Sequence, residues 1–385
     1  AATEKAKAPV AMTIERLLRA PGRPGQAFTM PGVNYDSVYR TARRFKALFD
    51  GDANTPAALC LCSDDRAVMA AALLASLAGG PALVITPALE PATLVDLHRR
   101  TAYTRAVATE NLVLPHGVTP IDPATLPDAV ESLTPDEQTG ETATLADRTW
   151  AYLSTGQPTG AVRLASLTPR YLLTEAARLV SVYGIGSNDR ILATVAPRHV
   201  YGLLYSVLVP LLASARVAAA SPSSPAAIGR QMSDLSPTVL VSAPVQIEAL
   251  TADPPAQPSL RLAFSSSGPL SSAARDAFRA ATGLDVIAVD DAMPAGGARE
   301  TLPRAGGHDA AERHLVTFEP TGLKVAVEAG HSLHELAAAH GIDIRADCGG
   351  VGVCGKCRVL ADPRESFSPY SDAELDVLTP DQMSA

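Results

Sequence analysis

Cysteine is scarce in this chain: five in 385 residues, three of them inside one ten-residue stretch. That distribution excludes a disulfide-stapled secreted scaffold, whose cysteines are dense and spread along the chain. Charge is sparse too, at 19%, against 47% hydrophobic residues. Such a composition buries a sizeable core and is not that of a disordered chain. The amino end, "AATEKAKAPVA", has no apolar h-region and no initiator Met, so it reads as a trimmed or partial start without a signal peptide. Long hydrophobic runs are interrupted. Ala67–Leu89 carries no charge over 23 residues, long enough to span a bilayer, but Gly79-Gly80-Pro81 breaks it, predicting a helix followed by a strand. Val200–Ala215 is short and broken by Pro210. These absences predict a cytoplasmic protein with no membrane segment.

Net charge is −8, unevenly spread. Residues 312–385 hold 6 Lys+Arg against 12 Asp+Glu, a balance of −6; the remaining 26 and 28 leave residues 1–311 near neutral. This excludes nucleic acid and predicts a basic-faced protein partner for the last fifth of the chain. Cys60 and Cys62 lie in "AALCLC". A strand puts residues two apart on one face, so both read as small core hydrophobes.

Residues 1–290 alternate helical and strand patterns. "TIERLLRA" predicts a helix with Thr13 as N-cap, and "YDSVYRTARRFKALFD" has apolar residues at helical spacing. Short apolar runs such as "AALCLCS", "PALVITP", "TWAYLS", "RILATVA", "PTVLVS" and "LRLAFSS" alternate with helical ones, which implies parallel βαβ units with covered sheet faces. Residues 109–145 read as a long surface connection and residues 291–311, with two Gly-Gly pairs, as a linker. Residues 312–385 change character. "HLVTFE" and "LKVAVEA", joined by "PTG", predict a β-hairpin. "SLHELAAAHG" predicts a helix with Ser332 and Glu335 at capping-box spacing. The expected organisation is therefore a layered α/β domain over 1–290, a linker over 291–311 and a small α+β unit over 312–385.

Within that unit "CGGVGVCGKCRVL" spaces Cys348, Cys354 and Cys357 as Cys-x5-Cys-x2-Cys. Glycines at 349, 350, 352 and 355 let the chain curl so that all three thiols reach one centre. The curl also turns backbone N–H groups toward the negative sulfurs of a cluster. A zinc site drawing on His331, His334 or His340 is one alternative; a loop with incidental thiols is another. The stretch from Val316 through Leu360 resembles a 2Fe-2S ferredoxin domain of β-grasp fold, close to the ferredoxin head of corrinoid-activating proteins. The resemblance implies Cys348, Cys354 and Cys357 as iron ligands and a redox partner protein. The family's fourth cysteine has no counterpart after Cys357: either the sequence stops short of it, or a non-cysteine group or another chain completes the set.

Upstream, "RTWAYLSTGQPTGAVRLAS" places a Ser/Thr/Gly-rich loop directly after an apolar strand, the composition of a phosphate cradle. With "APRHVYG" and "LRLAFSSSGPL" it resembles the adenylate-forming, acyl-CoA synthetase-like enzymes from about Thr13 to Asp291. The resemblance implies Ser154, Thr155, Gly156, Thr159, Gly160 and Arg163 at the phosphates of ATP or AMP, with Mg²⁺. It places Ser266, Ser267 and Gly268 beside the adenine and His199 on the wall of a pocket for a carboxylic acid. Arg163 stands where that family has Lys, Pro294 of "DDAMP" where it has a Mg²⁺-binding Glu, and the ferredoxin-like unit follows where it has a mobile lysine-bearing domain. The implied function is a 2Fe-2S electron-transfer module attached to a ligase-like domain that has lost part of its machinery. An active acid-adenylating ligase with a redox appendage is the alternative, and a non-catalytic interaction scaffold the second.

Overall fold

The computed structural model describes residues 7–19, 21–50, 57–108, 111–129, 132–133, 145–156, 162–251, 259–266, 270–289, 298–300, 313–319 and 321–328, with isolated residues beyond. The chain divides into two compact units, one of Ala1–Thr155 with Leu164–Thr301, the other of Gly156–Arg163 with Leu302–Ala385.

The first unit holds two sheets. The six-stranded sheet has the order β1-β9-β8-β10-β11-β12, formed by β1 (Thr29–Met30), β8 (Arg190–Ala193), β9 (Arg216–Ala218), β10 (Val239–Ser242), β11 (Leu262–Ser265) and β12 (Val286–Ala288). Every neighbouring pair in it is parallel. The seven-stranded sheet has the order β13-β7-β6-β3-β2-β4-β5. Its strands are β2 (Ala58–Leu61), β3 (Ala82–Ile85), β4 (Arg105–Val107), β5 (Thr119–Ile121), β6 (Ala151–Gly156), β7 (Val162–Leu167) and β13 (Ala298–Glu300). From β6 to β5 the pairs are parallel, and β13 joins β7 antiparallel.

The period-2 pattern of the strands explains the layering. Leu59, Leu61, Leu83, Ile85 and Leu153 of one sheet, and Ile191, Ala193, Val217, Val239, Val241 and Phe264 of the other, enter one shared core. The alternate residues Leu192, Ala218, Leu240 and Ala263 join a second cluster. That cluster is completed by α7 (Pro225–Leu235), α8 (Pro244–Thr251) and α9 (Ser272–Thr282), through Met232, Ile247 and Phe278 among others. The shared core also takes α1 (Lys7–Arg19), α2 (Tyr35–Asp50), α3 (Arg66–Leu77), α5 (Pro169–Val182) and α6. Helix α6 runs as Val200–Leu203 and Val209–Ala213 with a π turn, Leu204–Leu208, between them. Helix α4 (Pro91–Thr101) precedes β4.

The uncharged run resolves as expected: α3 is buried on nearly every side, as an all-round apolar helix must be, and β3 follows after Gly79 at φ 111°. No described helix is long and apolar enough to cross a membrane. Cys60 and Cys62 are buried core residues, their sulfurs 3.6 Å apart. The Cys60 thiol, hydrogen-bonded to Cys62 and buried, is pushed well above the ordinary thiol range.

Three expectations change. Thr13 is not a cap; α1 already runs from Lys7, because Val10, Ile14, Leu17 and Leu18 form one buried stripe at helical spacing. Within 109–145, Thr119–Ile121 adds β5 at the sheet edge, where Pro120 removes no needed ladder bond. Within 291–311, Ala298–Glu300 pair with Leu167–Ala165.

In the second unit, β14 (Arg313–Phe318) and β15 (Leu323–Glu328) form the expected antiparallel hairpin, registered from Arg313↔Glu328 to Phe318↔Leu323. Val316, Phe318, Leu323 and Val325 alternate with the more exposed Leu315, Thr317 and Lys324. Leu333, Leu336 and Ala337 are helical; Ser332 and Glu335 lie outside the described residues.

Candidate functional site

In the six-stranded sheet the chain leaves β8 for β9 on one side, then crosses back to β10 on the other. The carboxyl ends of β8 and β10 therefore flank a topological switch point, where parallel sheets open a crevice. Three apolar strands end there in hydroxyl residues. Ser242 and Ser265 are registered partners on β10 and β11, and Thr194, the residue after β8, donates its N–H to the Val241 carbonyl at 2.9 Å. The Thr194 hydroxyl donates to Gln246 Oε1 at 2.5 Å and accepts from Ser242 Oγ at 2.8 Å. Ser266 continues the row, its N–H donating to the Ser242 carbonyl at 2.9 Å.

His199 sits at the start of α6 on the same rim and is exposed. Its carbonyl accepts from Leu203 N–H at 2.7 Å. The fixed spacing to Gly202 has a steric origin: a Cβ on Gly202 would stand 2.0 Å from the Ala196 carbonyl oxygen. Only glycine lets the first turn of α6 lie this close to the segment that carries His199.

Two arginines tie the rims of the two sheets. Arg198, beside His199, donates Nε and Nη2 to the two Asp64 carboxylate oxygens at 2.8 and 3.0 Å, and Nη1 to the Thr86 and Pro87 carbonyls at 2.7 and 2.8 Å. Asp64 lies just after β2, and Thr86 just after β3. Arg66 is fully buried and donates to the carbonyls of Ala193, Val195 and Ala219 and to Ser221 Oγ at 2.7–3.3 Å. Desolvation lowers its pKa to about 10, so it still holds its charge at neutral pH. Asp65 beside it caps α3, accepting from Ala67 and Val68 N–H. Next to these groups a cavity of about 580 Å³ is lined by Thr29, Gly32, Asp64, Asp65, Thr194 and Ser221 among others.

On the seven-stranded sheet, Ser154 is buried in β6, one residue beyond the registered pair Ile85↔Leu153 and so level with Thr86, whose carbonyl Arg198 holds. The expected loop is shorter than the residue types suggest. Thr155 and Gly156 still belong to β6, and Arg163 already lies in β7; Ser and Thr continue a strand readily because a β-branched or small residue fits the pleat. The structure thus brings His199, Ser266 and, through Arg198, the β3–β6 rim bearing Ser154 to the carboxyl ends of parallel strands in the two sheets. Thr159, Gly160, Ser267, Gly268, the "DDAMP" segment, Cys348, Cys354 and Cys357 lie outside the described residues.

Thr194, Ser242, Gln246, Arg66 and Asp64 went unnoticed in the sequence. The signal was present as a polar residue closing each apolar strand, in "RILAT", "TVLVS" and "LAFS". The iron-ligand reading rests on donor chemistry: three thiols at Cys-x5-Cys-x2-Cys suit an iron–sulfur cluster. The other two cysteines, Cys60 and Cys62, are held in the core of the first unit. Among the described residues no group of three or more His, Cys, Asp or Glu could hold a metal ion.

The family profile of AMP-binding enzymes matches residues 21–327, and that of the 2Fe-2S iron–sulfur cluster binding domain matches residues 316–383. The two overlap on the β14–β15 hairpin. No curated protein matches the chain. Solved structures of similar fold include apo MatB from Rhodopseudomonas palustris, at 18% identity and TM-score 0.61, covering 82% of this chain and 68% of that one. A benzoate CoA ligase from Burkholderia xenovorans LB400 aligns at 17% identity and TM-score 0.59, covering 84% and 69%. A malonyl-CoA ligase complex with methylmalonyl-CoA and AMP aligns at 20% identity and TM-score 0.56, covering 72% and 59%. This chain thus spans about two thirds or less of their lengths.

Proposed function

The chain belongs to the AMP-binding enzyme family, with a 2Fe-2S cluster binding domain behind it, and from that premise we propose that it is an electron-transfer protein whose cluster module is carried on a nucleotide-binding scaffold. The observation that carries the scaffold half is the row of hydroxyls at the switch point, Thr194, Ser242 and Ser265–Ser266, on the rim that Arg198 ties to Thr86, level with Ser154. The network of buried Thr194 and Ser242 with Gln246 shapes the floor beneath the base and ribose of a nucleotide, and half-buried Ser266 is the hydroxyl of the row left to reach them. The nucleotide's phosphates fall to Ser154, Thr155, Gly156, Thr159 and Gly160, with Arg163 and Mg²⁺ supplying positive charge. Ser266, Ser267 and Gly268 flank the base. His199, exposed at the start of α6, walls the space for a carboxylic acid.

The cluster half rests on Cys348, Cys354 and Cys357. A bound 2Fe-2S cluster supplies one-electron transfer; the chain supplies thiolates and glycine-rich backbone. Thiolate ligands suit a reducing compartment, which supports a cytoplasmic location. The −6 balance of residues 312–385 supports a basic-faced redox partner. Pro294 in place of a carboxylate supports binding without efficient adenylation.

A second reading, an active acid-adenylating ligase, is favoured by the preserved Pro197–Gly202 segment and its rigid tie through Arg198. Two measurements separate the readings. Anaerobically purified protein is expected to contain iron and sulfide, to absorb in the visible and to give an EPR signal when reduced; a colourless, zinc-loaded protein after reconstitution would sink the electron-transfer reading. ATP–pyrophosphate exchange over a panel of aryl, malonyl-type and fatty acids is expected to be absent while ATP still binds in calorimetry. Exchange with any one acid replaces the first reading of the scaffold with the second.

A further inference from the structure

A second cavity, of about 500 Å³, lies away from the strand rims and shares no lining residue with the first. It opens where the end of α1 meets α2 and Asp128, Ala129, Ser132 and Leu133. Its floor is apolar. Leu18 and Leu133 are buried, and buried Tyr39 spends its hydroxyl on the Leu17 carbonyl at 2.7 Å. Its wall is cationic, formed by Arg19 from the last turn of α1 and by Arg40 and Arg43 of α2. Among the described residues of the lining the one carboxylate, Asp128, is already taken: Arg44 donates to it through Nε at 2.9 Å and Nη2 at 2.5 Å, and this pairing holds its carboxyl below the usual range. Arg40 pairs with Asp36 in an exposed contact and also acts electrostatically on Asp128. Among the described residues, Arg19 and Arg43 have no hydrogen-bonded or ion-paired partner.

Three guanidinium groups around one hollow repel one another, in a chain whose net charge is −8. The fold nonetheless brings two helices together to place them there. Guanidinium forks match tetrahedral oxyanions and bind phosphate by paired, charge-assisted hydrogen bonds. The volume falls in the range of small-molecule sites. We propose that this cavity binds a phosphorylated small molecule. Its phosphate sits between Arg19, Arg40 and Arg43, and its apolar body lies on Leu18, Tyr39 and Leu133. The site is independent of the nucleotide reading, since none of these residues lies on either strand rim.

Calorimetric titration of the full chain with inorganic phosphate and with phenyl phosphate tests it. Both are expected to bind, phenyl phosphate about tenfold more tightly because its ring covers the apolar floor. Arg19→Gln with Arg43→Gln is expected to weaken both by about tenfold or more. Arg19→Lys with Arg43→Lys, which keeps the charge and loses the forks, should fall between. Arg275→Gln, an exposed residue of α9 outside this lining, should leave both unchanged, which separates the site from a general loss of cationic surface. Equal affinity in the Gln variant, no binding at millimolar phenyl phosphate, or binding of a glutamate-rich peptide in preference to phenyl phosphate would each overturn the assignment.

Discussion

The two candidate functional regions of this molecule are built in opposite ways. The cluster region concentrates its chemistry in ten consecutive residues, Cys348 to Cys357, in a unit whose described framework is one hairpin. The rim region collects Thr194, Ser242, Ser265, His199 and Asp64 from chain positions up to about 200 residues apart, and holds them with two packed sheets and two arginines. A local site survives wherever its short loop can curl. A convergent site exists only while the layers around it stay packed, so the same kind of substitution should damage the two regions differently.

The sharpest test is Cys354→Ser. Iron content and visible absorption are expected to be lost, while ATP affinity and the main melting transition stay as in the wild type. A variant retaining full absorption would remove Cys354 from the ligand set. Gly202→Ala is the converse. Its Cβ meets the Ala196 carbonyl at 2.0 Å, so α6 must shift, with a destabilisation of about 3 kcal/mol expected. Denaturant unfolding should report that loss, with iron content unchanged.

Arg198→Ala breaks the tie between rims next to His199. Because Asp64 is about half exposed, solvent screens part of the pair, and about 1–2 kcal/mol is expected. ATP binding should weaken with it, and Arg198→Lys, which keeps a charge without the fork, should restore only part.

The smallest effect is one of pH. Burial would raise the Asp189 carboxyl, but donors from Arg261, Thr238 and Gly186 outweigh it and hold the pKa below the ordinary value. A depressed folded-state pKa means that its contribution is complete above the unfolded value near about 4 and is lost as pH falls through the folded one. Melting temperature should therefore drop less steeply below pH 4 in Asp189→Asn than in the wild type. Equal slopes would assign acid sensitivity elsewhere.

Short continuous apolar runs such as "VLVS" and "LAFS", separated by helical patterns, already specified parallel strands buried on both faces, and the uncharged run with its Gly-Gly break specified α3 and β3. Those were legible because a period of 2 or 3.6 is a property of neighbours in the chain. The cap assigned to Thr13 failed because the apolar stripe of α1 begins earlier than the Thr that resembles a start signal. Thr155 and Gly156, expected in a loop, lie in β6, because serine and threonine serve strands as well as turns. Arg66 and Asp64 gave no signal, since a charged residue after a strand is ordinary until its partners are known.

Family, cysteine spacing, layer type and charge asymmetry were determined by the sequence alone, because each depends on residues close together in the chain or on simple counts. Only the tertiary structure decided that Thr194, Ser242 and Ser265 share a row, that Arg198 and Arg66 tie two rims, and that three arginines surround one hollow. Those facts depend on strand order and helix packing, in which residues far apart in the chain become neighbours through burial of apolar surface.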